Sequence, residues 1–162
     1  MPKALEDLPR LGVRYRLNPD FEHLSWYGRG PHETYVDRKQ SGRLMVHEST
    51  VAAQYVPYIL PQDHGNLTDV RWLGLHNDRQ LGVTVTGHPR FEASASHYPK
   101  ESLLNAFHTY EVAPDPHVWL SLDVMQRGLG GASCGPDTLP PYRLSSGAFS
   151  LDYTLALQAP ER

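Results

Sequence analysis

The residues between Trp26 and Arg38 combine aromatic rings, glycines and charged side chains within a short stretch. Gly28 and Gly30 permit backbone angles that other residues avoid, and Pro31 fixes its own backbone angle. The aromatic rings alternate with charged groups, so apolar faces lie beside hydrogen-bonding groups. Such a segment turns sharply and offers a surface suited to a sugar.

A second glycine-rich stretch spans residues 128–136 and reads GLGGASCGP. Its glycines let the backbone approach a neighbour closely, which is typical of a segment inserted into the mouth of another domain. Cys134 within it has an alternative interpretation as a small buried hydrophobic residue, because free cysteine is among the most buried residue types. A nucleophilic Cys134 is disfavoured, since no histidine is adjacent in sequence.

Carboxylates could act in glycoside hydrolysis, which in retaining enzymes needs two carboxyl groups about 5–5.5 Å apart. The sequence nominates no such pair. The loop and strand-end carboxylates are better interpreted as turn caps or as partners of Arg29, Arg38 or Arg71. These carboxylates are Glu33, Asp37, Asp63, Asp69, Asp123 and Asp137.

Histidines and aromatic residues are the remaining candidates for chemistry. The spacing of the nine histidines argues against a metal site, because His32-Glu33 lacks the helical i, i+4 partner of zinc proteases. Trp26 shares a strand face with Leu24, so burial in the core is expected. Residues 55–66 form a stiff, proline-containing path whose polar groups could bind hydroxyls, although turn capping is favoured.

Composition restricts the class of protein. The chain has 162 residues with 40% hydrophobic content, a net charge of −3 and a pI near 6.3. These values predict one domain over residues 1–162 and disfavour nucleic acid as a partner. The lone Cys134 excludes an internal disulfide, and no apolar stretch or secretion signal is evident, so we expect no membrane association and a cytoplasmic location.

Alternation of apolar and polar residues predicts mainly antiparallel strands. A hairpin loop at residues 77–80, a connection at 113–116 and a helix at 99–106 are also expected. Residues 37–66 and 128–146 lack periodicity and are interpreted as long functional loops. The predicted strands are residues 13–17, 23–27, 69–76, 81–86, 91–97, 107–112, 117–125 and 149–157.

Three segments together resemble the C-terminal end of the large bacterial beta-galactosidases of glycoside hydrolase family 2. They are residues 26–38, 55–72 (YVPYILPQDHGNLTDVRW) and 128–144 (GLGGASCGPDTLPPYRL), and the resemblance runs from about Leu8 to Leu157. It implies an all-β antiparallel sandwich of the galactose mutarotase-like supersandwich type. This chain resembles only the later half of that domain.

The resemblance also implies a function. In this family the catalytic glutamates belong to a separate barrel domain that is absent here. We therefore expect the isolated chain to be inactive and to contain no catalytic residue. The 128–136 loop reaches the active-site entrance in many members, where a tryptophan lines the sugar platform; others carry cysteine there, as at Cys134. Ser133, Cys134 and Gly135 are therefore the expected substrate-binding residues for terminal beta-D-galactosides. No cofactor is expected, and any metal ion would sit on the catalytic domain.

Two alternatives and one assembly hypothesis remain. The chain could be a free-standing carbohydrate-binding module. It could also be an aldose-1-epimerase-like enzyme using His97 and His108 with a carboxylate, which rests on analogy of fold alone. Half a sandwich would leave an apolar face and strand edges in water, so a homo-oligomer or a missing piece of the beta-galactosidase is expected as partner.

Overall fold

The computed structural model describes residues 7–131 and 134–159. Seven antiparallel strands form one sheet, accompanied by one short helix, α1, at Lys100–Asn105. Three single-turn 3-10 helices lie at Ala52–Gln54, Thr109–Glu111 and Pro140–Tyr142. The strands are β1 (Arg10–Leu17), β2 (His23–Gly30), β3 (Arg43–Thr50), β4 (Leu67–His76), β5 (Gly82–Ser96), β6 (Val118–Gln126) and β7 (Tyr153–Gln158).

The long strand β5 organises the sheet, whose order is β1-β6-β5-β4-β2-β3. Along one side β5 pairs with β4. Along the other side its first half pairs with β7 and its second half with β6. The sheet therefore changes neighbours partway along β5, and it curves enough for Tyr15 of β1 to hydrogen-bond Tyr153 of β7.

The core lies on one face of this sheet and is built from alternating strand positions. Trp26 is fully buried, and its indole N–H donates to the carbonyl of Arg29 at 3.0 Å. Each large side chain removed from water contributes about 1.5–3 kcal/mol. Other core members from β2, β4, β5 and β6 are Leu24, Leu67, Val70, Leu73, Leu75, Val83, Val85, Phe91, Ala93, Ala95, Val118, Leu120 and Leu122.

Most sequence predictions of elements are confirmed. The all-β antiparallel class is confirmed, and the architecture is consistent with a sandwich. The predicted strands 81–86 and 91–97 are two parts of the single strand β5, and the strand predicted at 149–157 begins only at Tyr153. The helix and the 77–80 hairpin are also confirmed, since the Asn77 side chain accepts from the amides of Arg79 and Leu81.

Two predictions of elements are wrong. Strand β3 lies inside the predicted loop 37–66. It is one of the two terminal strands of the sheet order and exposes apolar residues on both faces, so no alternation marks it. The strand predicted at 107–112 is instead a 3-10 turn at Thr109–Glu111, stabilised by Glu111, which accepts from the amide of Phe107 at 2.7 Å. Within the described residues no helix is long and apolar enough to cross a membrane.

Candidate functional site

The loop that follows β6 is fixed at its base by buried polar contacts. We call residues 128–138 the glycine loop. The amide of Gly128 donates to the carbonyl of Tyr142 at 2.8 Å. The fully buried Thr138 donates its hydroxyl to the carbonyl of Gly128 at 2.8 Å. The two ends of the loop are therefore tied to each other and to the 3-10 turn at Pro140–Tyr142.

A carboxylate distant in sequence holds the first half of the glycine loop. Asp37 Oδ1 accepts from the amide of Leu129 at 3.1 Å, and Oδ2 accepts from the amide of Gly130 at 2.8 Å. Gly130 has a φ of +59°, which favours glycine. A Cβ on Gly128 would lie 2.7 Å from Asp37 Cγ, so the backbone passes this carboxylate at a distance that only glycine permits.

Two guanidinium groups hold the second half of the loop. Arg127 donates to Asp137 at 2.8 and 3.0 Å and to the Thr138 hydroxyl at 2.7 Å. Arg143 donates to the Thr138 carbonyl at 2.7 Å and pairs with Asp137 at 3.2 Å. The hydrogen bond from Arg127, followed by that from the amide of Thr138, holds the pKa of Asp137 below its ordinary value.

Between these anchors the tip of the loop is exposed. The amide of Gly131 donates to the carbonyl of Pro136 at 3.1 Å, and the amide of Cys134 donates to the carbonyl of Gly131 at 3.1 Å. Cys134 and Gly135 face solvent, so the interpretation of Cys134 as a buried hydrophobic residue is wrong. Ser133, the third expected substrate-binding residue, lies outside the described residues.

Asp37 belongs to a tight turn that is itself firmly supported. Tyr35 and Arg38 exchange two backbone hydrogen bonds, at 3.1 and 2.8 Å. Arg38 donates to the buried Glu33 at 2.6 Å, and its guanidinium lies over the Tyr35 ring, 5.4 Å from the centroid. The turn thus connects the glycine loop to the interior.

Glu33 is the centre of that support. Its carboxylate accepts from the hydroxyls of Tyr35 and Tyr58, from Arg38 and from the amide of Gly65. Burial acts to raise the pKa of Glu33, but these donors, Tyr58 foremost, outweigh it and hold the pKa below its ordinary value. Glu33 also borders a pocket of about 480 Å³ whose wall includes His32 and Gln54.

The other candidate carboxylates are engaged in ion pairs, but Asp63 and Asp123 pair with cations that the sequence interpretation did not name. Asp69 receives Arg29 at 2.7 Å, which agrees with that interpretation. Asp63 and Asp123 both bind Arg10, and Asp63 also binds Lys100. Contacts of this kind, across more than 50 residues, carry no signal in the sequence.

The histidines are distributed among separate partners. His97 pairs with Glu22 at 2.7 Å, and His108 pairs with Glu111 at 3.0 Å, so each has its own carboxylate. Within residues 7–131 and 134–159 no group of three or more potential metal ligands occurs. The arrangement gives no support to the epimerase alternative.

The sequence analysis missed one buried carboxylate. Glu92 on β5 accepts from the Asn66 side chain at 2.9 Å and from the amide of Gln126 at 3.1 Å. Burial, with Asp123 nearby, raises the pKa of Glu92 to about 7 despite these two donors. It borders a pocket of about 350 Å³ that Lys39 also lines. Its position in an alternating strand looks ordinary, so no sequence signal could have identified it.

The 55–66 segment takes part in an aromatic cluster. Tyr55 stacks on Tyr98 with ring centroids 4.3 Å apart, and the buried His64 meets the Tyr55 ring edge-on at 5.2 Å. The two tyrosines line a pocket of about 450 Å³ together with Pro114. This surface offers aromatic ring faces, but it shares no residue with the glycine loop.

Comparison with known proteins agrees with the resemblance in the sequence. Residues 1–157 match a family model described as beta galactosidase small chain. A beta-galactosidase of Priestia megaterium is 37% identical over 143 residues, which covers 88% of this chain and 14% of that protein. The corresponding values for a beta-galactosidase of Arthrobacter sp. (strain B7) are 34% over 157 residues, 93% and 16%.

A beta-galactosidase of Kluyveromyces lactis is 32% identical over 155 residues, covering 94% of this chain and 15% of that protein. The chain thus spans only 14–16% of the length of these relatives. The family match extends over nearly the whole chain and includes the glycine loop and its anchors. The chain therefore belongs to the beta-galactosidase small chain family.

Proposed function

We propose that the chain is a module of a beta-galactosidase that shapes the entrance to the active site for hydrolysis of terminal beta-D-galactosides. The catalytic glutamates, and any metal ion, belong to a barrel domain in the remainder of the enzyme. The module itself carries no cofactor and breaks no bond. Its partners are the rest of the enzyme and the galactoside, and it acts in the cytoplasm.

The observation that carries the proposal is the contrast within the glycine loop. Its base is held by Asp37 on one side and by Arg127 and Arg143 on the other. Its tip exposes Cys134 and Gly135. A rigid base with an exposed tip suits a segment that enters another domain and defines the edge of a pocket, because a positioned group costs little ordering entropy when ligand binds.

The chemistry of the tip follows from residue size. A thiol at Cys134 offers no ring face to the sugar bound next to the galactose, whereas an indole would offer one. With Ser133 and Gly135 beside it, the tip would form a wide rim that accepts varied leaving groups. Residues 37–66 would support contacts within the assembled enzyme.

The test is Cys134→Trp in the assembled enzyme. An indole at the tip adds a stacking face worth about 0.5–1.5 kcal/mol, so KM for a disaccharide should fall roughly two- to tenfold. Steady-state kinetics with a disaccharide substrate and with added acceptor sugars measure this effect.

Cys134→Ser is the matched control, because it keeps the size of the side chain and should leave KM close to that of the parent enzyme. Equal KM values and equal acceptor affinities for the parent and Cys134→Trp would refute the rim role.

A further inference from the structure

Asp37 connects two parts of the chain that are 92 and 93 residues apart. Its two carboxylate oxygens bind two consecutive amides, those of Leu129 and Gly130. A single bond would leave the loop free to rotate about it, whereas two bonds to neighbouring amides fix both position and direction. Charge-assisted bonds of this type are stronger than those between neutral groups.

The glycine loop is matched in shape to this carboxylate. A Cβ on Gly128 would collide with Asp37, at 2.7 Å from both Cγ and Oδ2. A Cβ on Gly130 would lie 2.7 Å from the amide nitrogen of Thr138. The glycines therefore allow the backbone to pass between Asp37 on one side and Thr138 on the other.

The support beneath Asp37 does not depend on the loop. The turn is closed by the paired backbone bonds of Tyr35 and Arg38. Arg38 is anchored by Glu33, which the amide of Gly65 also binds at 2.8 Å. Asp37 is thus presented from a pre-ordered surface, as a group that positions another should be.

Arg127 and Arg143 complete the arrangement by binding Asp137 and Thr138 at the far end of the loop. With both ends held, the direction of the tip depends on how the first half leaves β6. We propose that Asp37 is a positioning residue, which directs the Cys134 tip toward the sugar-accepting rim by fixing the amides of Leu129 and Gly130. This inference rests on the proposed function for its catalytic consequence.

A spin label tests the positioning without any enzymatic activity. Cys134 is the only cysteine of the chain, so a nitroxide reagent modifies this site alone. Label mobility should increase in the order parent, Asp37→Asn, Asp37→Ala. The asparagine oxygen can accept one of the two amides, but its NH2 group faces the other and cannot accept it.

Asp78→Asn is the matched control. Asp78 is exposed in the hairpin beyond the His23 end of β2, whereas Asp37 follows the Gly30 end. The control should leave label mobility at the parent value. Circular dichroism melting confirms that each variant is folded, and Asp37→Asn retains the test if Asp37→Ala does not fold. Unchanged mobility in a folded Asp37→Asn or Asp37→Ala would overturn the positioning role.

Kinetics of the assembled enzyme distinguish the two proposals. If both are correct, Asp37→Ala raises KM for a disaccharide roughly tenfold and leaves kcat nearly unchanged, because displacing a positioned group weakens ground-state and transition-state contacts alike. Asp37→Asn should give a smaller rise. Increased label mobility with an unchanged KM would support the positioning role of Asp37 and refute the rim function of the loop.

Discussion

At the scale of single residues, two buried glutamates show how donors decide the charge state of a carboxyl group. Glu33 accepts from a guanidinium, two phenols and one amide, and its pKa is lowered. Among the described residues, Glu92 accepts from the neutral amides of Asn66 and Gln126; it lies near Asp123, and its pKa is raised to about 7. Glu92 is more deeply enclosed than Glu33, so the difference comes from burial first and then from the number and the charge of their partners.

Glu92 gives the protein a pH-dependent stability. Its folded pKa of about 7 lies above the ordinary value of 4.5, so the folded state binds this proton more tightly than the unfolded state. Below pH 4.5 both states are protonated; stability then falls as pH rises toward 7 and stays lower above it. This shift in pKa corresponds to about 3 kcal/mol in the free energy of unfolding.

Glu92→Gln should remove this dependence, because the amide oxygen can accept both existing hydrogen bonds without a charge. The free energy of unfolding of the variant minus that of the parent should be about 2–3 kcal/mol larger at pH 8 than at pH 5. Urea unfolding at the two pH values measures the gain. Glu48→Gln, the same change on the exposed edge strand, should show none. If Glu92→Gln raised the free energy of unfolding equally at both pH values, the raised pKa of Glu92 would be contradicted.

At the scale of elements, β1 and β6 approach each other closely at a bulge. The pairing shifts between Leu11 and Gly12. A Cβ on Gly12 would lie 2.2 Å from the carbonyl oxygen of Leu122 and 2.7 Å from Asp123 Cα, both of which are backbone atoms. The closeness keeps the Asp123 carboxylate within reach of Arg10.

Gly12→Ala should therefore separate β1 from β6 and destabilise the fold by at least about 2 kcal/mol. Gly147→Ala serves as the matched control, because the nearest atom to its Cβ is 3.6 Å away, an ordinary contact. Urea unfolding gives the loss, and hydrogen exchange along Arg10–Leu17 locates it. Exchange protection that is unchanged in β1 would show that the strands accommodate the methyl group.

Sequence periodicity predicted elements where one strand face is buried and the other is not. Strand β2 satisfied this condition, whereas β3 did not, since Leu44 and Met45 on opposite faces are both exposed. The 107–112 prediction failed because Phe107 and Tyr110 point to solvent despite their apolar character. The glycine loop was recognisable from its composition, but its contact with Asp37 depends on the folded chain.

At the scale of the whole molecule, the chain is a small part of a much longer architecture. It spans 14–16% of the length of the relatives from Priestia megaterium and Arthrobacter sp. (strain B7), yet it buries a continuous core. The terminal strand β3 exposes Leu44, Met45 and Val46 at 42%, 49% and 51%. Such an edge offers both backbone hydrogen-bonding groups and apolar side chains to another strand.

The isolated chain should therefore self-associate through β3. If two β3 strands pair antiparallel about Met45, Leu44 of one copy lies opposite Val46 of the other, and both pairs leave water. Light scattering of the isolated chain should give a mass above the 18.3 kDa of one copy.

Val46→Lys should shift the mass toward that value, because a lysine on an edge strand disfavours pairing. Leu104→Lys, an equal change on the exposed side of α1, should not. A mass of one copy at every concentration, or equal effects of the two lysines, would show that β3 is not the contact and would leave the rest of the enzyme as its expected partner.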